Sequence, residues 1–263
     1  MVRACLAFGR HALAEAPAER PAAVDDVVKR GSSGLVTFRP HVGERGAADD
    51  VLQLLGCYDA VDAETRRLVG GTADSEVTFS SRFGGLRAHA VLLAGGEEEK
   101  AQVSAALAQI GVPSSAAIDG MAPDAVDVLV LLDLASETPA VLDAALKKVV
   151  GLSTVDTSTL LTSVVCGTRA ALGVAVAAPS SAIVQAFRPV QSYTLLNDAR
   201  VPDIEQGWNA VVSTAGGDLP GRVDACAELA ASCASAGCCG RMLADRLMYE
   251  LGFRLHAMPK YGA

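Results

Sequence analysis

The stretch Val126-Asp127-Val128-Leu129-Val130-Leu131-Leu132-Asp133 decides the fold reading of this chain, and Thr138-Pro139 follows it closely. An almost unbroken run of Val and Leu fits a strand buried on both faces, as in the parallel sheets of α/β proteins. The Thr138 hydroxyl suits a helix N-cap and Pro139 the first helical position. Leu142, Leu146, Val149 and Val150 then recur with helical spacing. Strand, short turn and helix together make one βαβ step.

A second such step lies upstream. Ala88 to Leu93 is apolar and stops at Gly95-Gly96. Glu97, Glu98 and Glu99 then sit where a helix N-terminus stabilises negative charge, and Val103, Leu107 and Ile110 continue at helical spacing. Nearer the start, Ala22 to Lys29 reads as a helix ended by Gly31, Leu35 to Phe38 as a strand, and Ala47 to Leu55 as a helix closed by Gly56. Glu64 to Val69 reads as a helical turn and Glu76 to Phe79 as a strand.

Beyond residue 170 the rhythm changes. Leu172 to Ala177, Ile183 to Phe187, Val190 to Leu196 and Ala210 to Ser213 read as successive strands. Arg222 to Phe253 reads as helix with a break at Ala236-Gly237, and Arg254 to Met258 as a last strand. The expected class is mixed α/β (α+β), with mixed sheets flanked by helices. The expected division is a helical segment over 1–30, one lobe over 31–122 and a second, similar lobe over 123–263. A faint echo between residues 32–40 and 180–189 accompanies that division.

Composition bounds the function. The 263 residues are 51% hydrophobic, 20% charged and only 4% aromatic, enough for a large core with few aromatic anchors. The net charge of -8 repels phosphate backbones, so nucleic acid is not an expected partner. No stretch matches a membrane span of about 20 strongly apolar residues. Seven cysteines, two of them adjacent at Cys238-Cys239, fit a reducing intracellular compartment, the cytoplasm or an organelle, better than a disulfide framework. Residues 1–14 carry Arg3, Arg10 and His11 without an acid, the pattern of either a first amphipathic helix or an organellar targeting segment.

Catalytic and metal motifs are missing from the sequence. Cys226, Cys233, Cys238 and Cys239 are separated by gaps of six, four and zero residues, unlike the paired knuckles of zinc sites, so no metal or cofactor is expected. The Gly-rich segment Thr214 to Arg222 lacks the dinucleotide fingerprint and reads as a strand-to-helix loop. Gly70-Gly71-Thr72-Ala73-Asp74-Ser75-Glu76 pairs two glycines with hydrogen-bonding side chains, a composition suited either to a small polar ligand or to an exposed turn.

Several segments taken in order resemble the FIST domain, named for F-box and intracellular signal transduction proteins. They are Leu68 to Glu76, the strand and glycine pair Ala90 to Gly96, the strands Val128 to Asp133 and Leu172 to Ala177, the stretch Val184 to Val190 containing Arg188-Pro189, and Cys238-Cys239-Gly240-Arg241. The chain departs from the family in being short, in Phe187 where a small or Cys residue is more usual, and in Cys239 where Asn is usual. The resemblance implies a non-catalytic protein that senses a small ligand of the amino-acid class. Its binding residues would be Gly70, Gly71, Thr72, Asp74, Arg188, Cys239, Gly240 and Arg241, with Arg188 on a ligand carboxylate. The alternative is a structural or assembly subunit of a larger complex, with protein partners.

Overall fold

The computed structural model describes residues 1–10, 21–40, 46–70, 78–119, 125–135, 139–152, 155, 159–167, 195–196, 199–202, 204, 207–216 and 241–259. The expected strands Leu172 to Ala177 and Ile183 to Phe187, and the expected helix before residue 241, lie outside these residues.

Among the described residues, eight strands form one sheet: β1 (Ala4–Gly9), β2 (Ser32–Phe38), β3 (Ala88–Ala94), β4 (Ser114–Ser115), β5 (Val128–Asp133), β6 (Leu161–Cys166), β9 (Trp208–Ala215) and β10 (Arg241–Leu243). Their order is β10-β2-β9-β6-β1-β5-β3-β4, and β9 alone runs antiparallel to its neighbours. A small two-stranded ribbon joins β7 (Leu195–Leu196) and β8 (Ala199–Arg200). The helices are α1 (Ala22–Arg30), α2 (Ala47–Leu54), α3 (Ala63–Leu68), α4 (Phe79–Arg82), α5 (Glu97–Gln109), α6 (Ala140–Val150) and α7 (Ala244–Arg254), with a 3-10 turn at Tyr58–Ala60. The fold is mixed α/β, as the βαβ steps predict.

Both faces of the sheet are covered. Residues of α2, α4, α5 and α7 pack on one face with Leu6, Phe8, Val36, Phe38, Val130 and Trp208. On the other, α1 and α6 pack with Cys5, Ala7, Leu35, Leu129, Leu131 and Val211. Alternation along each strand sends successive side chains to opposite clusters. Phe38 and Trp208, opposite each other on β2 and β9, stack with centroids 4.2 Å apart.

Residues 4–9 correct the reading of a helical first segment. They form β1, the strand between β5 and β6, buried along its whole length. Ala and Leu are good helix formers, and a run of six apolar residues carries no period-2 signal, so local pattern misassigned it. The central position of β1 also means that strands from 1–30, 31–122 and 123–263 interleave in one sheet, and a boundary at residue 122 cuts across that sheet. Two smaller differences follow from capping and packing. Phe79 opens α4, because Thr78 makes a capping box with Ser81. Arg254 ends α7, and the residues after it turn back onto the core through Leu255 rather than extending as a strand.

One long-range cap joins the two helices of the second face. The residue before α1 is Pro21, which offers no side-chain acceptor, and Asp143 of α6 supplies it instead. Its Oδ1 accepts from the Ala23 and Val24 amides at 2.6 and 3.1 Å. Lys147 reaches Asp143 at 2.6 Å but is itself 59% exposed. Replacing a capping carboxylate costs about 1–2 kcal/mol at the upper end of the usual range, whereas an exposed pair contributes less than about 1 kcal/mol. Asp143→Ala is therefore expected to lower the urea midpoint clearly and Lys147→Ala only slightly; equal effects would show that the cap is not what matters.

Candidate functional site

Strands β2 and β10 run parallel, so the chain leaves both at the same, carboxyl edge of the sheet. That edge is where open α/β sheets place their ligands. Immediately after β2, Arg39 is 5% exposed. Its amide donates to Gln53 Oε1 at 2.7 Å, and Gln53 Nε2 donates back to the Arg39 carbonyl at 3.4 Å, so an α2 side chain satisfies the backbone where the strand ends. The guanidinium donates to Thr65 Oγ1 and Asp245 Oδ2 and lies 4.9 Å from the centroid of the Tyr58 ring. Asp245 comes from the first turn of α7, directly after β10.

A second ion pair stands beside the first. Arg82 clasps Asp59 bidentately at 2.7 and 2.6 Å and also donates to the Gly56 carbonyl at 2.6 Å. Arg66 donates to the Asp59 and Ala60 carbonyls at 2.9 and 2.8 Å, fixing the short turn after α2. Gly56 is required there: its φ is +64°, and a Cβ would lie 2.9 Å from the Phe83 ring and 3.2 Å from the Asp245 carbonyl. Asp62 caps α3 by accepting from the Thr65 amide at 2.7 Å, which places Thr65 under Arg39.

Between these pairs lies a cleft of about 150 Å³, walled by Tyr58, Asp59, Arg82, Asp245, Arg246 and Tyr249, with Val69 and Leu196 as apolar borders. At about 30 Å³ per water, this is room for about five waters or one small polar molecule. A recess of about 70 Å³ shares Tyr58 and Thr65 with it and is bordered by Arg39, Asp62 and Glu64. Burial pushes the Asp245 carboxyl above its ordinary pKa, and Arg39 and Arg246 only partly oppose this. Burial would lower the Arg82 guanidinium, but the hydrogen bonds and charge of Asp59 prevail and raise it. Burial also raises the Tyr249 hydroxyl, and it pushes the Cys57 thiol up to about 12, which leaves that thiol protonated and unreactive at neutral pH. Asp245 Oδ1 and Arg39 Nε are buried and make no hydrogen bond among the described residues.

The residues expected from sequence fall around this cleft only in part. Gly70 ends the α3 turn with φ +76° and open space at its Cβ position, one residue beyond the cleft-lining Val69. Arg241 begins β10, three residues before α7. Gly71, Thr72, Asp74, Arg188, Cys239 and Gly240 lie outside the described residues. The residues that line the cleft were not expected from sequence. Two signals pointed to them: an acid, Asp245, among Leu243, Leu247 and Met248, and an arginine, Arg39, directly after the aromatic end of a strand at Phe38. Among the described residues, no group of three His, Cys, Asp or Glu side chains could hold a metal. Cys5, Cys57 and Cys166 are free and buried, and among the described residues no helix is long and apolar enough to cross a membrane.

The architecture is that of an open, mostly parallel α/β sheet with helices on both faces and a charged cleft at the carboxyl edge. No family model and no curated protein matches the chain. Among solved structures it is similar to the PH0037 protein from Pyrococcus horikoshii, with a TM-score of 0.57 and 12% identity over 100% of this chain and 99% of that one. At that identity the likeness speaks for the fold alone.

Proposed function

We propose that this chain is a small-ligand-binding protein of the sensory, non-catalytic kind, and that its ligand, of the amino-acid class, occupies the cleft between Asp59, Arg82, Asp245 and Tyr249. The observation that carries the reading is the pair of fixed ion pairs walling a small cleft at the carboxyl edge of the sheet. Walls of both signs suit a zwitterion: Arg246 for a carboxylate, and Asp245, whose Oδ1 makes no hydrogen bond among the described residues, for an ammonium. The FIST resemblance supports the same ligand class, and Arg188 and the Gly70-Gly71 turn stay the sequence's own candidates for further contacts.

Calorimetric titration of the full chain with the common amino acids tests this, preceded by native mass spectrometry to detect a retained ligand or partner chains. At least one amino acid is expected to bind saturably. Arg246→Gln is expected to weaken it by about tenfold or more, the scale of a hydrogen bond to a charged group. Failure of every amino acid to bind would sink the reading, and a stable complex with other chains instead would favour the assembly-subunit alternative. Binding unaffected by Arg246→Gln and Tyr249→Phe together would move the site elsewhere.

A further inference from the structure

The charged cleft and the smaller recess beside it share an apolar border. Leu196 of β7 borders the cleft, and Val201 and Pro202, just after β8, border the recess. Among the described residues, neither strand of this ribbon pairs with the eight-stranded sheet. A two-stranded ribbon is at best marginally stable by itself. This one is held down by a small apolar cluster of Leu196, Val201, Ile204 and Leu243, with Leu68 and Val69 at the end of α3 partly buried against it. The cluster stands apart from the two that cover the faces of the sheet.

A segment whose closed state depends on so few buried side chains opens at lower free energy than the strands of a central sheet. β1 and β5 are of the second kind, buried along their whole length in the sheet interior. What the ribbon covers is the floor of the site. Tyr58 and Thr65 line both the cleft and the recess and are only 4% and 2% exposed. Closing such a border over a ligand excludes water and strengthens its contacts with the ion pairs, while opening it gives a path in and out.

We propose that the β7–β8 ribbon is a lid on the charged cleft, which opens as a local unit when Leu196 and Val201 leave Leu243, Leu68 and Val69, and closes over the ligand. Its role as a gate rests on the cleft being the binding site. The motion is tested without any ligand, so failure of amino-acid binding and failure of the lid are read separately. Hydrogen exchange and hydroxyl-radical footprinting of the full chain make the test. Peptides spanning residues 195–202 are expected to exchange at least about tenfold faster than those of β1 and β5. Tyr58 and Trp208 are equally buried, each 4% exposed, but Trp208 borders neither the cleft nor the recess. Corrected for intrinsic reactivity, Tyr58 is therefore expected to be oxidised faster than Trp208. Ile204→Ala weakens the cluster without altering the lining of either cavity, and is expected to speed both ribbon exchange and Tyr58 oxidation by about tenfold, leaving β1 and β5 unchanged. Ribbon exchange as slow as that of β1 and β5 overturns local opening. Fast ribbon exchange with Tyr58 oxidised no faster than Trp208 in the unaltered chain overturns the lid, because the ribbon would then open without uncovering the cleft.

Discussion

A chain lacking residues 1–10 is expected to lose its cooperative fold. Those residues contribute β1, which pairs with β5 on one side and β6 on the other, and its removal leaves two exposed edges in the middle of the sheet. Two side chains show the scale. Leu6 and Phe8 are fully buried, and truncation to Ala at such positions costs about 2–5 and 3–5 kcal/mol. The whole stability of a domain is about 5–15 kcal/mol. Phe8→Ala is thus the measurable form of the same prediction, read as a lowered urea midpoint, with the deletion giving no cooperative transition. A shortened chain that still unfolded cooperatively near the temperature of the full chain would show that the segment is dispensable.

Arg39→Met is expected to cost about 3–5 kcal/mol, because it leaves the Asp245 carboxylate buried without its main counter-charge. Asp245→Leu in the same chain should recover a large part of that loss, since an apolar pair of similar volume needs no desolvation of ions. The pH dependence has a definite sign. Burial already raises Asp245 above its ordinary value, so the proton it holds favours the folded state at low pH, and that contribution is lost as pH rises through the raised value. Removing Arg39 raises the carboxyl further. The penalty of Arg39→Met should therefore be smaller at pH 5 than at pH 7, measured by denaturation at both. A penalty independent of pH, or no recovery in the double variant, would assign the cost to lost packing around Tyr58 instead.

Ligand titration and these stability tests address different parts of one arrangement. The Arg39–Asp245 pair joins β2 to α7, and the Arg82–Asp59 pair joins α4 to the turn after α2. Substitutions in either pair will disturb the cleft through the fold as well as through contact. Arg246 and Tyr249, on α7, are therefore better choices for testing binding.

Much of the fold was legible locally. The run at 126–133 with the helix after it, the run at 88–93 with its glycine pair, and the Gly31 and Gly56 stops all rest on short-range periodicity and capping, which a sequence displays directly. β1 and β6 were not legible, because Ala4 to Gly9 equally suits a helix and Thr162 and Ser163 interrupt the apolar run of β6. The cleft was less legible still. Arg39, Asp59, Arg82 and Asp245 are far apart in the chain, and no local pattern joins them into two pairs.

The sequence by itself determined the class, mixed α/β, along with the helix stops and the acidic, aromatic-poor character of the chain, since these depend on neighbouring residues and composition. Tertiary structure alone decided that β1 is central, that one sheet spans the expected boundary at residue 122, and that two ion pairs and a cleft meet at its carboxyl edge. The physical reason is the same throughout. Strand order and buried charge pairing are long-range choices, fixed by which surfaces exclude water together rather than by any local pattern.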